Sequence, residues 1–276
     1  MPYDDLLAIA SQVAVAAGSL ARMRRAEGVE VADSKSSPVD VVTHADRETE
    51  GLIRAMLADA RPDDGFLGEE SDASGGSSGL TWVVDPIDGT VNYLYGIPHY
   101  AVSIAVVEGD PDPLTWSALA GCVVNPAIGE NFTATAGGGA FLGATPIRVA
   151  PAVDVSQALI GTGFAYDSAM RGFQGRIVAE LLPEVRDIRR QGTASLDLCA
   201  VACGRLNGYF ERTLSPWDHA AGALIAREAG AMVTGLAGAA PSSDFILAAE
   251  PNLAERLERR LVELGYSPGS MGSAGA

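Results

Sequence analysis

A mixed α/β architecture in two lobes is what the sequence predicts, from three observations. Stretches with the period of amphipathic helices alternate with apolar runs of strand length. A glycine-rich region over 125–143 reads as short antiparallel strands. Near Pro151 the alternation starts afresh. The expected division is therefore 1–143 and 144–266, with a small, flexible tail over 267–276. With 276 residues, 47% of them hydrophobic, the chain can bury a large core in one α/β unit or in two packed lobes.

Residues 4–27 form the first expected helix, with Leu6, Ile9, Val13, Ala17 and Leu20 on one side. Asp4 and Asp5 precede it, Arg22, Arg24 and Arg25 close it, and Gly28 offers a left-handed stop. After a polar segment over 34–40, Val41-Val42-Thr43-His44-Ala45-Asp46 opens a second helix running to Ala60. Thr43 is a natural N-cap and Asp46 lies three residues on, so Asp46 reads as a helix-start acid in a variant capping box. Asp46 and Glu50 share a helix face that could equally look into a cleft. A short apolar piece then ends in Glu69 and Glu70, of which at most one should face a site, the other being solvated. Residues 73–79, rich in glycine and serine, read as a mobile surface connector.

Strands are expected over 100–107 and 118–124. The second half offers a strand at 158–161, a helix over 168–182 and a strand leading to Asp187-Ile188-Arg189-Arg190. Gly192-Thr193-Ala194-Ser195 opens an apolar helix whose amides face a polyol or phosphate, or merely start a helix. A strand over 207–212, a helix from Pro216, a strand over 245–249 and a helix over 251–265 complete the lobe. Gly161-Thr162-Gly163 lacks the third glycine of a dinucleotide fingerprint and is set aside. His219 reads as a packed or surface histidine, since nothing nearby suggests zinc.

The formal net charge of −16 argues against duplex nucleic acid or an anionic membrane as partner. An acidic protein that handles phosphate must bring its own cations. No secretory or membrane-spanning pattern is legible, so the expected setting is cytoplasmic. Cys122, Cys199 and Cys203 lack metal-finger spacing and read as core thiols in a reducing compartment.

The stretch Trp82-Val83-Val84-Asp85-Pro86-Ile87-Asp88-Gly89-Thr90-Val91-Asn92 organises the rest. It reads as a buried strand that stops in a tight turn and delivers two carboxylates and a hydroxyl. Pro86 biases Asp85 toward extended backbone and Gly89 permits a conformation closed to other residues, so the turn could aim Asp85 and Asp88 at one point. Two carboxylates about 4 Å apart repel by roughly 4 kcal/mol at an effective dielectric of about 20. Such a pair demands a cation, and hard oxygen ligands favour magnesium or calcium. Taken alone, Asp85 and Asp88 are more readily read as turn formers.

In combination, these elements resemble the inositol monophosphatase family of magnesium-dependent, lithium-sensitive phosphatases. The matching pieces are Lys35-Ser36-Ser37-Pro38-x-Asp40 with Val42-Thr43-x-x-Asp46, then Gly68-Glu69-Glu70-Ser71. The stretch from Trp82 to Asn92 and Trp217-Asp218-x-Ala220-Ala221-Gly222 follow, in the family's order. The resemblance runs over about 4–265. It implies a layered αβαβα sandwich of the inositol monophosphatase and fructose-1,6-bisphosphatase type, assembled as a homodimer. It implies that Glu69, Asp85 and the Ile87 carbonyl hold one Mg2+, that Asp85, Asp88 and Asp218 hold a second, and that a weaker third ion sits near Glu69. The amides of Gly89 and Thr90 would hold phosphate, and Asp46 and Thr90 would orient and deprotonate the attacking water. Gly192, Thr193, Ala194 and Glu211 would hydrogen-bond the polyol, with Asp88 and Asp218 near it. The implied reaction is hydrolysis of a small phosphate monoester, myo-inositol monophosphate, with histidinol phosphate or fructose 1,6-bisphosphate as alternatives, or a regulatory protein-binding role on the same fold. Departures from the family pattern fall at His44, Ala45, Arg212 and Gly230-Ala231, none of them in the implied metal set.

Overall fold

The computed structural model describes residues 3–34 and 41–267; the Lys35 to Asp40 motif and residues 268–276 of the expected tail lie outside the described residues. The first part of the chain runs α1 (Asp4–Glu27), β1 (Val31–Ser34), β2 (Val41–Thr43), α2 (His44–Ala60), β3 (Gly65–Gly68), β4 (Leu80–Asp88) and α3 (Thr90–Tyr95). It continues with β5 (Ala101–Glu108), β6 (Ser117–Asn125), β7 (Glu130–Thr135), β8 (Gly139–Leu142) and β9 (Thr145–Pro146). Then come β10 (Leu159–Thr162), α4 (Ser168–Leu181), β11 (Asp187–Arg189), α5 (Ala194–Ala202) and β12 (Gly208–Glu211). The chain ends with α6 (Pro216–Glu228), β13 (Met232–Thr234), β14 (Ile246–Ala249) and α7 (Pro251–Glu263).

Strands β3 to β9 form one seven-stranded sheet in sequential order, and a five-stranded sheet runs β11-β10-β12-β14-β13. Side-chain alternation along these strands builds five layers. On β4, Trp82 and Val84 face α1 and α2, packing with Ala10, Val13, Ile53 and Leu57. Val83, from the opposite face, meets Leu198, Ala221 and Ile225 of α5 and α6. The same split recurs in the second sheet, where Tyr209 and Ile246 join that central helical layer. Phe210 and Leu247 pack against Ile177, Leu181, Leu257 and Leu261 of α4 and α7. The result is the layered αβαβα sandwich expected. Helix α5 is buried at every position, which explains why its sequence is apolar except at Ser195 and Asp197, whose side chains are hydrogen-bonded to Asp88 and Gln191.

Several local expectations are corrected. Val41–Thr43 is a strand paired with β1, not the opening of α2, which begins at His44. Strand β13 was not foreseen. The 73–79 connector is exposed but tethered, since Ser74 exchanges backbone hydrogen bonds with Phe66 at 2.8 and 2.9 Å. Its Gly76 is packed so closely on Gly65 that a Cβ there would overlap backbone. Cys122 and Cys199 are buried as expected, whereas Cys203 is only half-buried. By length and composition α1 could cross a membrane, yet Ala10, Val13, Ala14, Ala17, Gly18 and Ala21 form a buried face against the rest of the protein. Arg212 turns away from the adjacent Glu211: its Nε donates to Asp244 O at 2.6 Å and its guanidinium lies 5.2 Å from the Tyr266 ring centroid.

Close approach of α6 to the first sheet depends on small residues. A Cβ built on Gly121 of β6 would lie 3.1 Å from Ala221 Cα. Gly121→Val is expected to lower stability by about 1–3 kcal/mol through overpacking. Urea denaturation checks this, and an unchanged midpoint and slope would contradict the packing account.

Candidate active site

Asp85 and Asp88 lie three apart, and residues at that spacing on a regular strand point to opposite faces. The structure solves this with a bulge. Asp85 pairs with Ser103 and Asp88 with Ala101, so β4 spends one residue more than β5 over the same span. Both acids therefore line one cavity of about 470 Å³, with Glu69, Thr90, Glu211 and Asp218 on its walls. Pro86, which donates no ladder hydrogen bond, falls at this irregularity. Gly89 follows with φ 90°, and a Cβ there would overlap Thr193 Oγ1. The Ile87 side chain is buried with Ala21, Ala45, Tyr93 and Tyr100, and Tyr93 donates to Ala21 O at 2.8 Å, pinning α3 on α1.

Two further acids are delivered by the same local device. Asp46 and Asp218 are the third residues of α2 and α6, in capping boxes with Thr43 and Ser215. Asp46 Oδ2 accepts from Thr43 N at 2.8 Å and from the Thr43 hydroxyl, while its Oδ1 is 3.1 Å from Thr90 Oγ1. The capping reading of Asp46 thus holds together with a link to the site. Asp46 is fully buried behind Thr90 and does not itself line the cavity. Thr90 Oγ1 also lies 3.1 Å from the Ile87 carbonyl. Asp218 Oδ2 accepts from Ser215 N at 2.7 Å.

Glu69 lines the cavity and Glu70 is half-buried rather than solvated. Glu50 does not reach the cavity: it accepts from Glu70 N at 2.8 Å and from the Ser71 hydroxyl, bracing the corner that presents Glu69. A Cβ on Gly68 would overlap that Glu50 carboxylate, which accounts for the glycine. On the opposite wall the amide start of α5 is directed partly to protein. Asp88 Oδ2 accepts from Ser195 N at 2.7 Å and Ser195 Oγ at 2.5 Å. Thr193 and Gly192 line the cavity, with Thr193 Oγ1 donating to His99 O at 2.9 Å. Asn92 Nδ2 bridges His99 O at 2.8 Å and Gln191 O at 2.7 Å, joining α3 to this loop. His219 is buried and stacks obliquely on Trp116, as a packed histidine would.

Some residues in and behind the cavity were not singled out by sequence. Arg190 is the only lysine or arginine lining it among the described residues. Ser195 fixes Asp88, Gly163 lies against Glu211, and Thr213 adopts φ 69°, strained for a β-branched residue. The available signals were the Arg189-Arg190 pair at a strand end and the serine in the α5 start; nothing local marked Thr213.

Burial of so many acids without matching cations raises their pKa values. Burial and then the charges of Glu69, Asp88 and Asp218 push Asp85 well above the usual carboxylate range. Asp218 is raised likewise by burial and by Asp88 and Glu69. Burial raises Asp88 to about 7 against the Ser195 hydrogen bonds, and Asp46 to about 6 against those from Thr43. Glu69 and Asp85 come into hydrogen-bond contact. Two carboxylates can do so only with a shared proton, or with a cation in its stead. Among the described residues no three His, Cys, Asp or Glu side chains are spaced as a closed coordination shell, so the expected aim at one point is incomplete. The donor set nonetheless fits a hard divalent ion: it is all oxygen, doubly backed by the bulge and caps, and strongly in need of positive charge.

A layered αβαβα protein in which the starts of α3, α5 and α6 line an acid-rich cavity, with the start of α2 behind Thr90, fits a class, the metal-dependent phosphatases of this fold. The model of the inositol monophosphatase family matches residues 3–266, and the chain belongs to that family. It is accordingly a phosphoric monoester hydrolase. An inositol-1-monophosphatase of Mycobacterium leprae is 42% identical over 278 aligned residues, covering 92% of each chain. The solved structure of the extragenic suppressor protein SuhB of Bartonella henselae superposes with a TM-score of 0.85 at 37% identity, covering 93% of this chain and 98% of that one. A Xylella fastidiosa protein named Nus factor SuhB is 40% identical over 242 residues, covering 84% of this chain and 85% of its own.

Because folding raises the pKa values of Asp46, Asp85, Asp88 and Asp218, the native state keeps protons that the unfolded chain releases above about pH 4. Stability of the metal-free protein should therefore fall as pH rises from about 5 to 7.5. Calorimetry in chelator should show a melting point lower at pH 7.5 by on the order of 5 °C, with Mg2+ restoring it at pH 7.5 more than at pH 5. A melting point that climbs over this range and ignores Mg2+ would contradict the electrostatic account.

Proposed function

We propose that the protein is a magnesium-dependent phosphatase that hydrolyses myo-inositol monophosphate to inositol and phosphate by direct attack of water. The observation that carries this reading is the gathering of Glu69, Asp85, Asp88 and Asp218 around one cavity whose floor is Thr90, backed by Asp46. Glu69, Asp85 and the Ile87 carbonyl would hold one Mg2+, and Asp85, Asp88 and Asp218 a second, with a weaker third near Glu69. Bound there, magnesium supplies neutralisation of the phosphate dianion, acidification of water and stabilisation of the leaving oxygen.

The chain's own residues do the rest. Thr90 Oγ1 accepts a hydrogen bond from the attacking water and passes its own proton toward Asp46 Oδ1, so the pair orients the water and takes its proton. Asp46, held by Thr43, cannot swing away from that task. The backbone turn at Gly89 and Thr90 offers amides to the phosphate oxygens at the start of α3. Glu211, Gly192, Thr193 and Ala194 line the side of the cavity where a polyol leaving group would lie. The one Cys-x-x-x-x-x-Arg match among the described residues, Cys199 to Arg205, lies away from the cavity, with Cys199 fully buried in α5 and Arg205 bonded to Glu130, which favours in-line attack over a cysteinyl-phosphate intermediate.

Lithium sensitivity, a homodimer and a cytoplasmic setting belong to the same proposal. A second reading, regulation through protein contacts, draws on the relative named a Nus factor. Retention of every implied metal carboxylate favours the enzymatic one. Release of phosphate from inositol 1-phosphate, histidinol phosphate, fructose 1,6-bisphosphate and phosphoadenosine phosphate, with and without Mg2+, tests it. Inositol 1-phosphate should give the highest kcat/KM and require Mg2+; another winner would overturn the substrate, and no turnover would favour the regulatory reading.

Asp88→Asn should lower kcat by at least about 10³-fold at saturating Mg2+, the scale of losing a group that stabilises the transition state. Retained turnover would contradict its role. Glu211→Ala should chiefly change preference among the four esters, and an unaltered profile would remove it as a polyol contact.

A further inference from the structure

Tyr209 takes no part in the reaction as derived, yet its placement is costly to arrange. It is fully buried on β12, two residues from Glu211, so the two side chains leave the strand on the same face. Its hydroxyl donates a short hydrogen bond to Glu211 Oε2. Burial, and then the charges of Glu211 and Asp197, raise its pKa far above the ordinary phenol value, so it stays a proton donor at every relevant pH. Across from it the Glu211 carboxylate rests on Gly163, where any Cβ would overlap all three carboxylate atoms. The Arg190 guanidinium, in the same cavity wall, opposes the rise that burial imposes on Glu211. A carboxylate held from one side by a phenol and from the other by bare backbone has its orientation set before any ligand arrives.

We propose that Tyr209 is a positioning residue, which with Gly163 fixes the Glu211 carboxylate toward the cavity so that it selects esters whose leaving group carries hydroxyls. The inference rests on the phosphatase reading above and goes beyond it in naming what makes Glu211 selective. An unfixed glutamate could follow a leaving group that lacks hydroxyls or turn to water, whereas a fixed acceptor goes unsatisfied when no hydroxyl faces it. Discrimination then comes from the unmet hydrogen bond. The phenol itself lies too deep to touch substrate.

The test compares kcat/KM for inositol 1-phosphate with that for 4-nitrophenyl phosphate, whose leaving group has no ring hydroxyls, in holoenzyme with Mg2+. In Tyr209→Phe the ratio should fall by about tenfold or more, the scale of one hydrogen bond to a charged group, and mostly through KM for the inositol ester. Gly163→Ala, which displaces the same carboxylate from the other side, should lower the ratio in the same direction. In a Glu211→Gln background, Tyr209→Phe should leave the ratio where Glu211→Gln put it. Parallel losses on both esters would reveal a merely structural tyrosine and overturn the proposal, as would an unchanged ratio. If the wild type prefers another hydroxylated ester, the inositol assignment fails, and the Tyr209 comparison is read on that ester instead. A wild type with no preference for hydroxylated esters overturns the proposal directly.

Discussion

Mutual repulsion among buried carboxylates is the constraint on which the site depends. Beyond burial itself, the charges of Glu69, Asp88 and Asp218 raise the pKa of Asp85, and those of Asp88 and Glu69 raise that of Asp218, around one cavity. Left to itself such a cluster would splay or protonate. Each acid is instead anchored by backbone geometry that does not depend on its neighbours: a bulge for Asp85 and Asp88, a capping box for Asp218, and the Glu50 brace for the corner at Glu69. One oxygen of Asp88 and one of Asp218 are committed to Ser195 and Ser215, which limits rotation and leaves the other available. Preorganised repulsion of this kind is what a divalent ion relieves, so affinity for the ion and the strain of the metal-free state have one origin.

The layered fold places compensating fields at the same edge. The N-terminal turns of α2, α3, α5 and α6 all meet the cavity or the residues that floor it, through Asp46, Thr90, Ala194 and Asp218. The positive ends of these helices oppose the acid charge and suit a phosphate as well. Helices α5 and α6 can bring their ends there because they form the central layer, sealed between both sheets. Packing and function are therefore hard to separate at residues such as Gly121, which lets α6 approach β6.

Much of this was legible in the sequence, for physical reasons. The long helices announced themselves by period and charge at their ends, and α1, α4 and α7 fall within a residue or two of their expected limits. The Asp85 to Thr90 turn was legible because Pro, Gly and paired acids are each improbable after an apolar run. The β1–β2 hairpin and β13 were not, because three or four residues carry too little periodicity. The metal and substrate roles assigned to individual residues came from family resemblance and remain part of the proposal. What the sequence could not supply was tertiary: that Asp46 lies behind Thr90, that Ser195 is bonded to Asp88, and that Gly163 makes room for the Glu211 carboxylate. The capping and site readings of Asp46 looked like rivals in one dimension, and the structure makes the cap the means of placing the acid, as it does for Asp218.

Titration calorimetry of Mg2+ into the metal-free protein at pH 7.5 tests the central claim most directly, because it reads the ion and the acids together without reference to substrate. Saturable binding, accompanied by proton release from the raised carboxylates and strongly weakened in Asp85→Asn, is the result the account predicts. Binding that is absent, or that Asp85→Asn leaves untouched, would contradict it.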